Sequence, residues 1–189
     1  MTPEQRYLFD LHGYLHIPNL LSDSELAAAR AAVDRYITTP DDHLPEGFSR
    51  SEDGKNYAHG FAFDKALEAI TLHPSLWPII KEFTHDRPAF SRGTLLVDSH
   101  EHEPLRLHCA REDFGWQSTR YDTRENRIFC DDFVIFPYFD DVFPGDGGLL
   151  VVPGSHKAAF NRPPELFNGG TTAELQDLPV GIVNVTPRA

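Results

Sequence analysis

The sequence predicts an α+β fold, with helices first and a sheet sandwich or barrel after them. Three observations lead there. Ser22-Asp23-Ser24-Glu25 is a capping box, and Leu26, Ala29, Val33 and Tyr36 follow it at helical spacing. Leu76, Ile79, Ile80 and Phe83 form a second apolar stripe. From Phe90 onward the apolar residues fall into short β-favouring runs separated by turn formers, among them the unbroken Leu149-Leu150-Val151-Val152.

Taken in order, the chain opens with a short helical or irregular lead-in and then Gly13-Tyr14-Leu15-His16-Ile17-Pro18, read as a strand with His12 and His16 as its polar tips. The capped helix runs from Ser22 until Pro40 stops it. Residues 40–58 are polar, acidic and rich in turn formers, so they form a loop in which His43 is solvated. His59 then opens the next segment as a candidate for facing a substrate. Two short helices are expected at 64–72 and 75–84, divided at His73-Pro74 because the residue before proline is pushed out of the α region. His73 and His85 sit at helix ends, where a cation meets the carbonyl dipole favourably.

In the second half, Thr94 to Val97 and Leu105 to His108 read as strands, with 109–126 a polar connection. The run Phe133-Val134-Ile135-Phe136-Pro137-Tyr138-Phe139 reads as a strand whose Pro137 marks a bulge or an edge. Pro144-Gly145-Asp146-Gly147-Gly148 is a turn, since proline fixes φ and glycine permits positive φ. Leu149 to Val152 is a strand covered on both faces, Pro153-Gly154-Ser155-His156-Lys157 ends it, and one more strand begins near Val180.

Composition bounds the function classes. A chain of 189 residues with 40% hydrophobic and 12% aromatic content suits one domain, 1–189, with a real core. Fourteen Phe and fifteen Pro fit a β-rich chain with many turns. A net charge of −12 disfavours nucleic acid and anionic membrane surfaces as partners. Two cysteines, Cys109 and Cys130, make no disulfide framework. No apolar run has the length of a membrane span, and the N-terminus lacks a signal-peptide pattern. A reducing, cytoplasmic setting is expected.

The segment Gly145 to Lys157, GDGGLLVVPGSHK, resembles the signature of the phytanoyl-CoA dioxygenase family, and Phe9 to Leu21, FDLHGYLHIPNLL, resembles that family's opening. The resemblance implies a double-stranded β-helix, the cupin-like jelly roll, and an enzyme using non-haem Fe(II) and 2-oxoglutarate to hydroxylate a small organic substrate. It further implies a facial site of two His and one carboxylate, with positions left open for the co-substrate and O₂. The family's first two ligands are His-x-Asp. His108 stands 39 residues before Gly147, at the end of an expected strand, and matches the His. The carboxylate position is Ala110.

Three readings follow from His108-Cys109-Ala110. Glu112 or Asp113 swings in as the carboxylate, so that His108 and Asp113 are the candidate metal ligands. Alternatively, the position is vacant, as in the related iron-dependent halogenases with His-x-Ala or His-x-Gly. In the third reading the domain is a non-catalytic jelly-roll binding or interaction module without iron. A rival cluster, His100 and His102 with Asp98, Glu101 and Glu103, has the composition to hold Zn²⁺ or Ni²⁺ but looks like an exposed connection before Pro104. His156 either contacts substrate or fixes its turn; Asp141 is expected to bond backbone amides in the corner before Pro144. In the family the chain continues into another strand, a distal His and a 2-oxoglutarate-binding Arg. The resemblance therefore implies an incomplete jelly roll that is inactive as it stands.

Overall fold

The computed structural model describes residues 1–100, 102, 105, 107–109, 120–163 and 181–187. Four α-helices precede the main run of β structure. Helix α1 spans Pro3–His12, α2 Asp23–Thr38, α3 Lys65–Thr71 and α4 Trp77–Thr84. The local code explains each boundary. Thr2 and Gln5 form a capping box at the start of α1, with Pro3 in the first turn, and Gly13 closes it in the left-handed region at φ 81°. Ser22 and Glu25 cap α2 reciprocally, as the sequence predicts. Asp64 accepts from the Ala66 amide at 2.8 Å and starts α3.

The described strands form three separate antiparallel pairs: β1 (Asn56–Tyr57) with β2 (Leu95–Leu96), β3 (Tyr121–Arg124) with β4 (Arg127–Cys130), and β5 (Leu149–Val151) with β6 (Val183–Val185). Among the described residues these pairs do not close into a barrel. The architecture is α+β, N-terminal helices with small antiparallel sheets in an incomplete jelly-roll arrangement.

Two layers of apolar contact hold the helices. Ala29 and Ala32 of α2 pack with Leu67 and Ile70 of α3, joined by Leu21, Val33 and Phe139. Ile79 and Phe83 of α4 pack on Ile128 of β4, with Phe9, Ile17, Tyr121 and Phe133 around them. Both expected helical stripes are therefore core. At the end of α2, Tyr36 is fully buried and stacks on Phe63 with ring centroids 4.2 Å apart. Its hydroxyl donates to the Ala58 carbonyl at 2.5 Å and lies 3.2 Å from that of Ser49, so the loop 40–58 is tied to the helix it leaves.

Several local expectations differ from the structure. Gly13 to Pro18 is not a strand, and His12 belongs to α1. The strand expected at Thr94 to Val97 is only Leu95–Leu96, and the described residues between Leu105 and Cys109 carry no ladder. Phe133 to Phe139 also has no strand partner among the described residues, and Val134, Ile135 and Phe136 are exposed. β propensity reports fitness for a pleated, half-buried surface, so without a neighbouring strand it makes no ladder. Conversely, the connection 109–126 contains β3. Its hairpin turn, Glu125-Asn126, has both residues at positive φ, 51° and 59°. That primed-turn geometry normally advertises itself with Asn-Gly or Asp-Gly, and Glu125 conceals it.

Strand β5 is half-buried along its length rather than covered on both faces. Its entry turn explains Gly148. At φ 94° a Cβ there would meet the Val185 carbonyl oxygen and Val142 Cγ1, each at 3.0 Å, so glycine lets β6 come close. In the corner before β5, Asp146 Oδ2 accepts from the Phe143 amide at 3.0 Å.

Candidate functional site

Residues 107–109 carry the metal candidate. His108 is exposed and Cys109 half-buried, as expected of neighbours on an extended segment that point to opposite sides. The backbone just before His108 is held by Arg162, whose Nη1 donates to the Leu107 carbonyl at 2.7 Å. No motif in the sequence pointed to Arg162, which lies 55 residues away. Ala110, Glu112 and Asp113 lie outside the described residues, so the proposed pairing of Asp113 with His108 does too. Among the described residues no three His, Cys, Asp or Glu side chains come together as a metal site. Facial iron takes two His and a carboxylate, and of the ligands expected from the sequence His108 alone lies among the described residues.

The rival cluster resolves differently. His102 Nδ1 lies 3.1 Å from the Ser99 amide, which donates to it, and Nε2 lies 3.2 Å from the Asp53 carbonyl. Both ring nitrogens are thus engaged by the backbone when Nε2 carries the proton. Asp98 Oδ1 meanwhile faces Lys55 Nζ at 3.3 Å. Asp98 Oδ1 also lies 3.2 Å from His102 Nδ1, so the group ties its loop to the segment just before β1. Glu101 and Glu103 lie outside the described residues. His59 sits in the left-handed region at φ 54°, its ring edge-on to Phe48 with centroids 6.0 Å apart. His73 faces Glu25 across 3.5 Å.

A connected polar constellation forms where the two family-like motifs meet. Gly154 donates its amide to the His12 carbonyl at 2.9 Å, docking the PGSHK corner on the end of α1. Asp10 accepts from Tyr121 Oη at 2.7 Å and pairs with Lys157 Nζ at 3.0 Å. These two partners hold the Asp10 carboxyl below its ordinary range, the tyrosine bond being the larger cause. Burial, then the Asp10 bond, pushes the Tyr121 phenol well up. The His156 ring stands edge-on to Tyr121 at 4.6 Å and lies 6.0 Å from Phe9. The ring thus packs within the corner, consistent with the role of fixing the turn.

A model of the phytanoyl-CoA dioxygenase (PhyH) family matches residues 9–176 of this sequence. The chain belongs to that family. No curated protein matches it at a comparable level. Among solved structures, this phytanoyl-CoA dioxygenase family chain is similar to HygX from Streptomyces hygroscopicus with nickel and 2-oxoglutarate bound. That match has a TM-score of 0.69 and 22% identity, and covers 100% of this chain and 75% of HygX. HygX with iron bound matches with a TM-score of 0.68 and 21% identity, over 100% of this chain and 74% of that one. A third HygX structure, with nickel, 2-oxoglutarate and hygromycin B, has a TM-score of 0.66. At this identity the likeness carries the fold.

Proposed function

We propose that this chain is a non-catalytic member of its family, a jelly-roll module that binds a small organic molecule or a partner without supporting iron chemistry. One observation carries the reading. His108 is exposed, and no trio of metal-ligating side chains forms among the described residues. The sequence at His108-Cys109-Ala110, which puts a methyl group where the family has its carboxylate, points the same way. A net charge of −12 supports a partner other than nucleic acid. No helix among the described residues is long and apolar enough to cross a membrane, and neither cysteine is in a disulfide, which fits a reducing, cytoplasmic setting.

The test is oxygen consumption and 2-oxoglutarate decarboxylation by the purified chain with added Fe(II). No turnover above the free-iron background is expected. Robust turnover would sink the proposal and install the second reading, an Fe(II)- and 2-oxoglutarate-dependent dioxygenase hydroxylating a small organic substrate.

That second reading is favoured by the family match and by HygX, which has been solved with 2-oxoglutarate and metal. In it His108 holds the metal and Asp113, or Glu112, supplies the carboxylate that Ala110 lacks. Iron would supply O₂ activation there. Arg162 would keep the backbone before His108 in place through the Leu107 carbonyl. If chloride supports turnover and Ala110→Asp abolishes it, the halogenase-like variant is the correct form of that reading.

A further inference from the structure

His156 is half-buried, with its polar ring atoms turned inward. Neither Nδ1 nor Nε2 makes a well-formed hydrogen bond, although the Asp10 backbone carbonyl faces the ring, and both atoms are shielded from solvent. An imidazole normally finds at least one partner when it loses water, because an unmet polar atom costs stability. Here the ring serves as an apolar wedge. It fills the space that Gly13 leaves by having no Cβ, and it packs against Tyr121 and Phe9.

The charged form is less well placed. Lys157 lies beside the ring and opposes a second positive charge. From α1, Asp10 faces it with its backbone carbonyl and its carboxylate, which favour protonation. That carboxylate is already engaged by Tyr121 Oη and Lys157 Nζ. Also on α1, His12 presents its carbonyl to the Gly154 amide. From β3, Tyr121 presents a ring edge-on, with Cys130 opposite it on β4. Burial, the strongest influence, and Lys157 outweigh Asp10 and hold the imidazole below its ordinary pKa of 6.5.

We propose that the clasp between α1 and the PGSHK corner is a pH-responsive latch, closed around neutral His156 and released when the ring takes a proton. The sign follows from linkage. A histidine with a lower pKa in the closed state leaves the latch fully closed above about pH 6.5 and weakens it as pH falls. Release frees Gly154 from His12 and separates the two motifs, while Ile79, Phe83 and Ile128, which the ring reaches only through Phe9 and Tyr121, stay packed.

Amide hydrogen exchange of the full 189-residue chain, corrected for the intrinsic rate at each pH, reads the latch at the Gly154 amide. Between about pH 7.5 and about pH 5.5, protection there should fall about three- to tenfold, because one proton linked to opening gives at most about tenfold per unit. Ile128, in the core, should hold its protection. In His156→Phe the Gly154 amide should lose this response; if that variant does not fold, His156→Gln takes its place. A parallel NMR titration of the His156 ring should give a midpoint below that of the denatured chain. Constant protection in the wild type, an equal fall in the variant, or a midpoint at or above the denatured value would overturn the proposal.

Discussion

Gly13 and His156 occupy each other's space: a Cβ on Gly13 would lie 2.3 Å from His156 Nδ1 and 2.7 Å from its Cγ. The two residues are far apart in sequence, one ending α1 and the other in the corner after β5. Their fit joins the opening motif to the PGSHK motif.

Gly13→Ala should therefore cost more than a left-handed alanine alone. The positive φ of 81° costs on the order of 1 kcal/mol, and the clash with a confined ring adds about 1–3 kcal/mol. Gly154→Ala, at φ 80° but with its nearest neighbour 3.8 Å away, should show only the first part. Urea denaturation of both variants separates the two terms. His156→Ala should also restore part of the stability of Gly13→Ala, a coupling that a double-mutant cycle reads directly. Equal losses in the two glycine variants would mean that the ring moves aside freely.

Asp10 supplies a second pH dependence, in a different window. Its carboxyl is held below the ordinary range by the Tyr121 bond and by Lys157. A depressed carboxyl contributes stability above its unfolded pKa, about 3.9, and loses it as pH falls through the folded value. Asp10→Asn should flatten thermal stability below about pH 4 and leave the histidine-linked change nearer pH 6 in place. If both windows vanish together in this variant, Asp10 and His156 act as one unit.

Tyr36 anchors the loop 40–58 through its hydroxyl and the helix through its ring. Tyr36→Phe keeps the stack on Phe63 and leaves the Ala58 and Ser49 carbonyls without this donor, a loss of about 1–2 kcal/mol. Tyr36→Ala also empties a fully buried site and should cost about 3–5 kcal/mol. Chemical denaturation provides both values, and a negligible effect of Tyr36→Phe would show that water replaces the hydroxyl.

The metal question has a direct titration. Co(II) followed by its absorption spectrum should bind the chain only weakly, and His102→Ala should not weaken it, because the ring nitrogens of His102 are committed to Ser99 and Asp53. Ala110→Asp should tighten binding by about tenfold if a single missing carboxylate limits the site. Tight binding by the unaltered chain that His108→Ala abolishes would instead establish His108 as a ligand with its carboxylate already in place.

The sequence by itself determined what depends on near neighbours. The capping box at Ser22 and Glu25, the core stripe from Leu76 to Phe83, the stop after β5 and each of the two family-like motifs rest on residues within a few turns of one another. Strands are another matter, because a ladder needs a partner that may lie anywhere in the chain. Phe133 to Phe139 has the composition of a strand but no partner among the described residues, whereas Tyr121 to Arg124, read as a loop, pairs with Arg127 to Cys130. Only the tertiary structure decided which polar residues work together. His102, one of an acidic and histidine-rich run, is spent on backbone groups, while Asp10, Tyr121, His156 and Lys157, from three separate segments, form one connected cluster. Burial and direction decide whether an imidazole is a ligand, a wedge or a loop tie, and neither is a property of its place in the sequence.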